Sequence, residues 1–257
     1  MRIEEFCHSG DIMHQEHTYR NYVNSDKLLA FRVVVKETDL LVHAEKKLEY
    51  ETRQLVLEHR AYVEAYIKAH PDFAAVLTPW QLDSPAPSIV VDMVKAGENA
   101  GVGPMAAIAG AIAEHVGLGL LKSADHVIVE NGGDIFIKTD APLTVGIFAG
   151  KSSLSLRIGI RLSGGPKPMA VCTSSGTVGH SLSLGKADAV CVAAESCAIA
   201  DAAATAIGNQ VKSIADIKGA IARGKCIEQL RGIIIIVGEK IGMWGDLEVV
   251  PLKGKNA

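Results

Sequence analysis

A chain of 257 residues with a formal net charge of -3 carries no basic field to hold a nucleic-acid backbone or an anionic membrane. Hydrophobic residues make up 48% and aromatics only 5%, so the core must be aliphatic and rich in alanine, within a single domain spanning residues 1–257. Cys7, Cys172, Cys191, Cys197 and Cys226 form an odd set without a C-x-x-C pair, which fits neither a disulfide framework nor a zinc site and points to reduced thiols.

The opening "MRIEEFCHSGD" has two acids where a secretion signal needs a basic patch and an apolar run, so a cytoplasmic protein is expected. Its histidines, His8, His14 and His17, are irregularly spaced and read as a solvated segment rather than a metal cluster. From Arg20 to His43, β-branched and aromatic clusters broken by "NSD" and "KETD" predict a small antiparallel meander. Between Lys46 and His70 the residues Leu48, Leu55, Val56, Val63 and Ile67 recur at helical spacing, and Pro71 follows as a stop. Meander and helix together form an amino-terminal part over residues 1–75.

"LTPWQLDSPAPSI" is a proline-rich loop, and "AGENAGVGP" a glycine-rich coil leading into an apolar helix with Pro104 as its first residue. "DHVIVE", "IFIK", "LTVGIFAG", "LSLRIGIRL" and "MAVCTSSG" then predict antiparallel strands, and "ADAVCVAA" one more. An alanine helix, a second helix over "SIADIKGAIARG", and the strands "GIIIIVG" and "LEVVPL" complete an α+β order rather than strict β-α alternation. The two most apolar stretches are interrupted by Glu114 and His115 or fall far short of the roughly 20 residues that cross a bilayer, so no membrane association is expected.

Four stretches carry residue types suited to chemistry. In "ADAAATA", Asp201 and Thr205 stand four apart on one helix face, offering a carboxylate and a hydroxyl to a hard cation such as Mg²⁺. The other reading is structural: Asp201 hydrogen-bonds a neighbouring loop, and Thr205 bonds back into its own helix. "ENGGDI" is either an ordinary Asn-Gly hairpin turn or a turn whose glycines admit a ligand beside Asp134. "VCTSSGTVGHSLS" ends a strand in hydroxyls that solvate an anion or simply turn the chain. His180 is the nearest base to those serines, but no G-x-S-x-G elbow supports a hydrolase triad. "AGVGP" places glycines before a helix start, a phosphate site in principle, without the lysine of a P-loop.

The order of these stretches, glycine loop and helix, "NGGDI", "TSSGTVGH", then "ADAAATA", resembles the ApbE family of flavin transferases. It is most similar to an ApbE-like family of bacteria and archaea that shares the runs "ENGGDI" and "TSSGTVGHSLSLGKADA". The likeness is continuous over residues 97–209. It implies an ApbE-like, T-fold-like α+β fold of two related halves, with antiparallel sheets packed by helices and a ligand cleft between them. By the same resemblance Asp201 and Thr205 are the Mg²⁺ ligands, with a backbone carbonyl near Gly103 to Met105 completing the set. Asn131, Gly132, Gly133, Asp134, Thr173, Ser174, Ser175 and Gly176 would line the site for FAD or FMN, and His180 would stand in as the catalytic base.

Two activities then follow as expectations: Mg²⁺-assisted transfer of FMN from FAD to a target protein, or flavin binding without catalysis by an accessory protein, for which the wider family's tie to anaerobic sulfur assimilation into homocysteine offers a setting. The departures bear on that choice. "GVGPMA" stands where the transferases have a lysine in an A-K-G turn, and no aspartate-proline segment lies between "TSSG" and "ADAAATA".

Overall fold

The computed structural model describes residues 28–176 and 185–252. Eight strands form one antiparallel sheet: β1 (Leu29–Val35), β2 (Thr38–Ala44), β3 (Val127–Asn131), β4 (Asp134–Lys138), β7 (Met169–Ser174), β8 (Ala189–Ala194), β9 (Leu230–Val237) and β10 (Lys240–Gly245), neighbours in that order. Three more, β5 (Leu143–Gly146), β6 (Ile158–Leu162) and β11 (Glu248–Pro251), form a small antiparallel sheet in the order β11-β6-β5. Five helices accompany them: α1 (Glu49–Ala69), α2 (Ser88–Ala100), α3 (Ile108–Leu120), α4 (Cys197–Gly208) and α5 (Ile217–Gly224).

Side-chain alternation sorts these elements into layers, because successive strand residues point to opposite faces. Val42, Val129, Phe136, Cys172, Val192 and Ile235 join the core shared with the helices, whereas Ile128, Ile135, Val171, Cys191 and Ile234 join a second core with Val145 and Ile160 of the small sheet. The central strands are therefore apolar on both faces, as "GIIIIVG" suggests. The long helix α1 is tied to the β1–β2 turn, where the Arg60 guanidinium donates to Thr38 Oγ1 at 2.7 Å and pairs with Glu37 and Glu64. No single described helix is long and apolar enough to cross a membrane.

The predicted strands and helices are present, with three differences. "AGENA" is not coil but the end of α2, whose Gly97 sits where an added Cβ would lie 2.8 Å from the Val102 carbonyl. A helical glycine there serves close packing rather than breaking the helix. Pro104 begins a 3-10 turn, Pro104–Ala107, and the α-helix proper starts at Ile108. The edge strand "KIGMWG" was not legible, because its two glycines mask the alternation; Gly242 is required there, since an added Cβ would meet Ile217 Cγ2 at 2.2 Å. The part of the expected meander that precedes residue 28, and His8, His14 and His17, lie outside the described residues.

Candidate functional site

Helices α3 and α4 cross at a glycine. A Cβ on Gly110 would lie 2.3 Å from the Cys197 carbonyl oxygen and 2.8 Å from Asp201 Cβ, so only glycine lets the two backbones approach this closely. The alanines of α4 serve the same end: Ala198, Ala200, Ala202, Ala203, Ala204 and Ala206 are all buried.

At this crossing each helix caps the other. The Gly110 amide, in the first turn of α3, donates to Asp201 Oδ2 at 2.9 Å, and the Ala109 amide also points at that carboxylate. In return, Glu114 Oε2 on α3 accepts from Ser196 Oγ at 2.8 Å and from the amides of Cys197 and Ala198 at 2.8 and 3.1 Å, in the first turn of α4. Both acids thus satisfy amides that a helix leaves without internal partners, at the positive end of its dipole. Asp201 bonds a helix start rather than a loop.

A second carboxyl faces the same space. Asn131 and Asp134 flank a two-residue turn, Gly132 (φ +63°) and Gly133 (φ +109°), left-handed at both positions as a tight hairpin demands. The turn sends Asn131 toward α3, where its Nδ2 donates to the Ala109 carbonyl at 3.0 Å. Asp134 is buried beside Cys172 and Asp201.

Burial pushes the Asp134 carboxyl up to about 7, against the pull of the Cys172 thiol and the Thr173 amide, with the charge of Glu130 adding to the rise. Asp201 is raised well above the usual carboxylate range by desolvation and by the charge of Asp134, and its two amide donors only partly offset this. Among the described residues no lysine or arginine pairs with either acid. A buried carboxyl and a half-buried one without a counter-charge repel each other in a space of reduced dielectric, an arrangement that a cation would relieve.

Thiols floor this site. Cys172 Sγ lies 3.5 Å from Cys197 Sγ, and burial drives both thiols up, Cys197 to about 11, so they are packing groups rather than nucleophiles.

The hydroxyl loop divides between the two faces of the sheet. Thr173 Oγ1 donates to Cys191 Sγ at 3.3 Å in the core facing the small sheet, so only its backbone serves the Asp134 side. Ser174 turns the other way, toward Gly208 at the end of α4, and Ser175 is half-buried beyond it. Gly176 packs on the Gly185 backbone, where an added Cβ would lie 2.4 Å from the Gly185 carbonyl oxygen. Thr205, half-buried, lies one turn of α4 past Asp201 toward Ser174. His180 lies outside the described residues.

Asn131, Asp134, Asp201, Thr205 and Ser174 therefore follow one line along α4, between its contact with α3 and its carboxyl end. No group of three or more His, Cys, Asp and Glu side chains among the described residues could close a metal site by itself. A cation here would have to take oxygens from the two carboxyls, Thr205 and the backbone. Of the expected carbonyls, those of Gly103 and Met105 each already accept a backbone amide in the 3-10 turn, leaving one lone pair apiece. Glu114 and Gly110 could not be read from spacing, since their partners lie over eighty residues away in the chain. The one signal was a glutamate inside an otherwise apolar helix.

The sequence model of the AbpE bacteria family matches residues 20–232. A UPF0280 protein of Methanosarcina barkeri is 39% identical over 216 residues, covering 83% of this chain and 85% of its own. A UPF0280 protein of Methanocaldococcus jannaschii is 40% identical over 224 residues, covering 84% and 90%. Among solved structures, the ApbE protein of Thermotoga maritima matches with a TM-score of 0.53 at 15% identity, over 84% of this chain and 96% of its own. The apo flavinyl transferase ApbE of Pseudomonas stutzeri matches with a TM-score of 0.50 at 13% identity, over 85% and 94%. At such identities the structural likeness establishes the fold, which is that of the ApbE proteins.

Proposed function

Because the chain belongs to the AbpE bacteria family, we propose that it binds a flavin nucleotide, FAD or FMN, along α4 with the help of a divalent cation. The observation that carries this reading is the Asp134–Asp201 pair, one carboxyl buried and the other half-buried, which has no cationic side chain beside it among the described residues and sits in a fold shared with flavin transferases.

Asp201 and Thr205 would hold Mg²⁺, with Asp134 contributing charge. The donor set fits: hard oxygen ligands on a rigid, close-packed helix, with room in the coordination sphere for phosphate oxygens. When bound, the ion would neutralise the nucleotide's pyrophosphate. The remaining work falls to the chain. The reciprocal caps fix the Asp201 carboxylate, the Asn131 bond to Ala109 fixes the glycine turn against α3, and Ser174 brings its hydroxyl to the far end of α4. His180 is the base proposed to take the proton of an attacking hydroxyl in transfer of FMN to a protein, with release of AMP.

A second reading, binding without transfer, is favoured by one feature: "GVGPMA" has no lysine where the transferases carry one. Titration of the purified protein with FAD, with and without Mg²⁺, tests the shared part. Metal-dependent binding that Asp201→Asn abolishes supports both readings, and equal binding with and without the metal refutes them. AMP release in the presence of an acceptor protein then decides between them.

A further inference from the structure

We propose that the groove between α5 and the edge strand β10 is a docking site for an extended, acidic segment of another protein, which adds to the sheet as a ninth strand. This inference does not rest on flavin binding.

The strand order leaves β10 outermost in the eight-stranded sheet, with no neighbour on its far side among the described residues. Unpaired edges are ordinarily protected by charge, proline or a covering element. This one carries Lys240 but also presents Ile241 and Met243, 41% and 47% exposed, at alternate positions that share one face of the strand. Ile214, 53% exposed, joins them from the turn before α5. Together with Ile221 they line a groove of about 550 Å³.

The charge of the groove names its occupant. Lys218, Lys225 and Lys240 line it and no carboxylate does, although the chain as a whole is acidic. Lys225 is held over the Trp244 ring, 5.5 Å from its centroid, so its charge is fixed beside β10. Lys218 and Lys240 have no carboxylate partner among the described residues. An open backbone edge, apolar sockets at two-residue spacing and a lysine rim together select an extended chain with apolar side chains at alternate positions and acids between or beside them. A second copy of this chain fits less well, because it would bring its own three lysines to the same edge.

The test uses the full-length protein and fluorescein-labelled ten-residue peptides of alternating Val and Glu or of alternating Val and Lys, with binding followed by anisotropy. The Val-Glu peptide is expected to bind at least ten-fold more tightly, to weaken as salt rises, and to slow amide exchange within Lys240–Gly245. Met243→Lys should weaken it ten-fold or more, and Lys218→Glu with Lys240→Glu should reverse the preference toward the Val-Lys peptide. Equal binding of both peptides, no binding of either, or binding indifferent to these substitutions would overturn the proposal. So would sedimentation as a dimer that Met243→Lys dissociates, since the face then belongs to a second copy.

Discussion

Gly110 and Asp201 hold the crossing of α3 and α4 at close range, and two glycines separate steric from backbone causes. Gly110→Ala must push apart two helix backbones, because its Cβ would meet a carbonyl oxygen at 2.3 Å. An overpacked site of this kind costs about 1–3 kcal/mol. Gly132→Ala meets no atom within 4 Å but must hold a φ of +63°, at a cost of about 1–2 kcal/mol from left-handed backbone alone. Urea unfolding of both variants measures the costs, and cation-dependent nucleotide binding distinguishes them: Gly110→Ala should lose it by displacing Asp201, and Gly132→Ala should weaken it less. Retention of full binding by Gly110→Ala would show that the crossing does not position the carboxylate.

The reciprocal caps are the corresponding device among the elements. Glu114→Ala leaves the Cys197 and Ala198 amides and the Ser196 hydroxyl without their shared acceptor, so a loss of about 1–2 kcal/mol is expected, as for other cap deletions. Glu114→Gln keeps an acceptor oxygen and should recover most of it; thermal melts of the two variants provide the comparison. If Glu114→Ala melts like the parent, the two helix starts are held by packing alone.

Local elements were well marked in the sequence. The α1 periodicity ended by Pro71, the Asn-Gly-Gly-Asp turn and the short apolar runs of β3 and β4 on either side of it are all specified by neighbours in the chain. What was hidden is tertiary. Gly97 and Gly242 look like breakers until one sees what a side chain there would strike, and Glu114 looks like an interruption until α4 lies beside it. Likewise, Asp201 and Thr205 announced a shared face, but nothing local showed that Asp134 would face Asp201, or that Thr173 and Ser174 would turn to opposite sides of the sheet.

Over the whole molecule, the acid pair makes stability depend on pH in an unusual direction for carboxylates. Asp134 titrates near 7 when folded and near 4 when unfolded, so the folded state holds the extra proton between those values. Its contribution is fully present below about pH 4 and is lost as pH rises through about 7, at up to about 1.4 kcal/mol per pH unit. The surface acids Glu37, Glu64 and Asp216, whose values are lowered, act in the opposite sense, so the pair must be isolated by difference. In the presence of a chelator, Asp134→Asn should match the parent below about pH 4, begin to exceed its melting temperature by about pH 5, and exceed it most at about pH 8. An identical pH profile for both proteins would mean that Asp134 ionises freely.

The placement of the cation can be observed by crystallising the protein with FAD and Mn²⁺ and locating the ion by its anomalous scattering. A peak at coordination distance, roughly 2.2 Å, from both the Asp201 carboxylate and the Thr205 hydroxyl, with flavin phosphate oxygens completing its shell, is expected. Flavin bound with no peak there, or a peak held by other side chains while Asp201 only caps α3, would contradict the assignment.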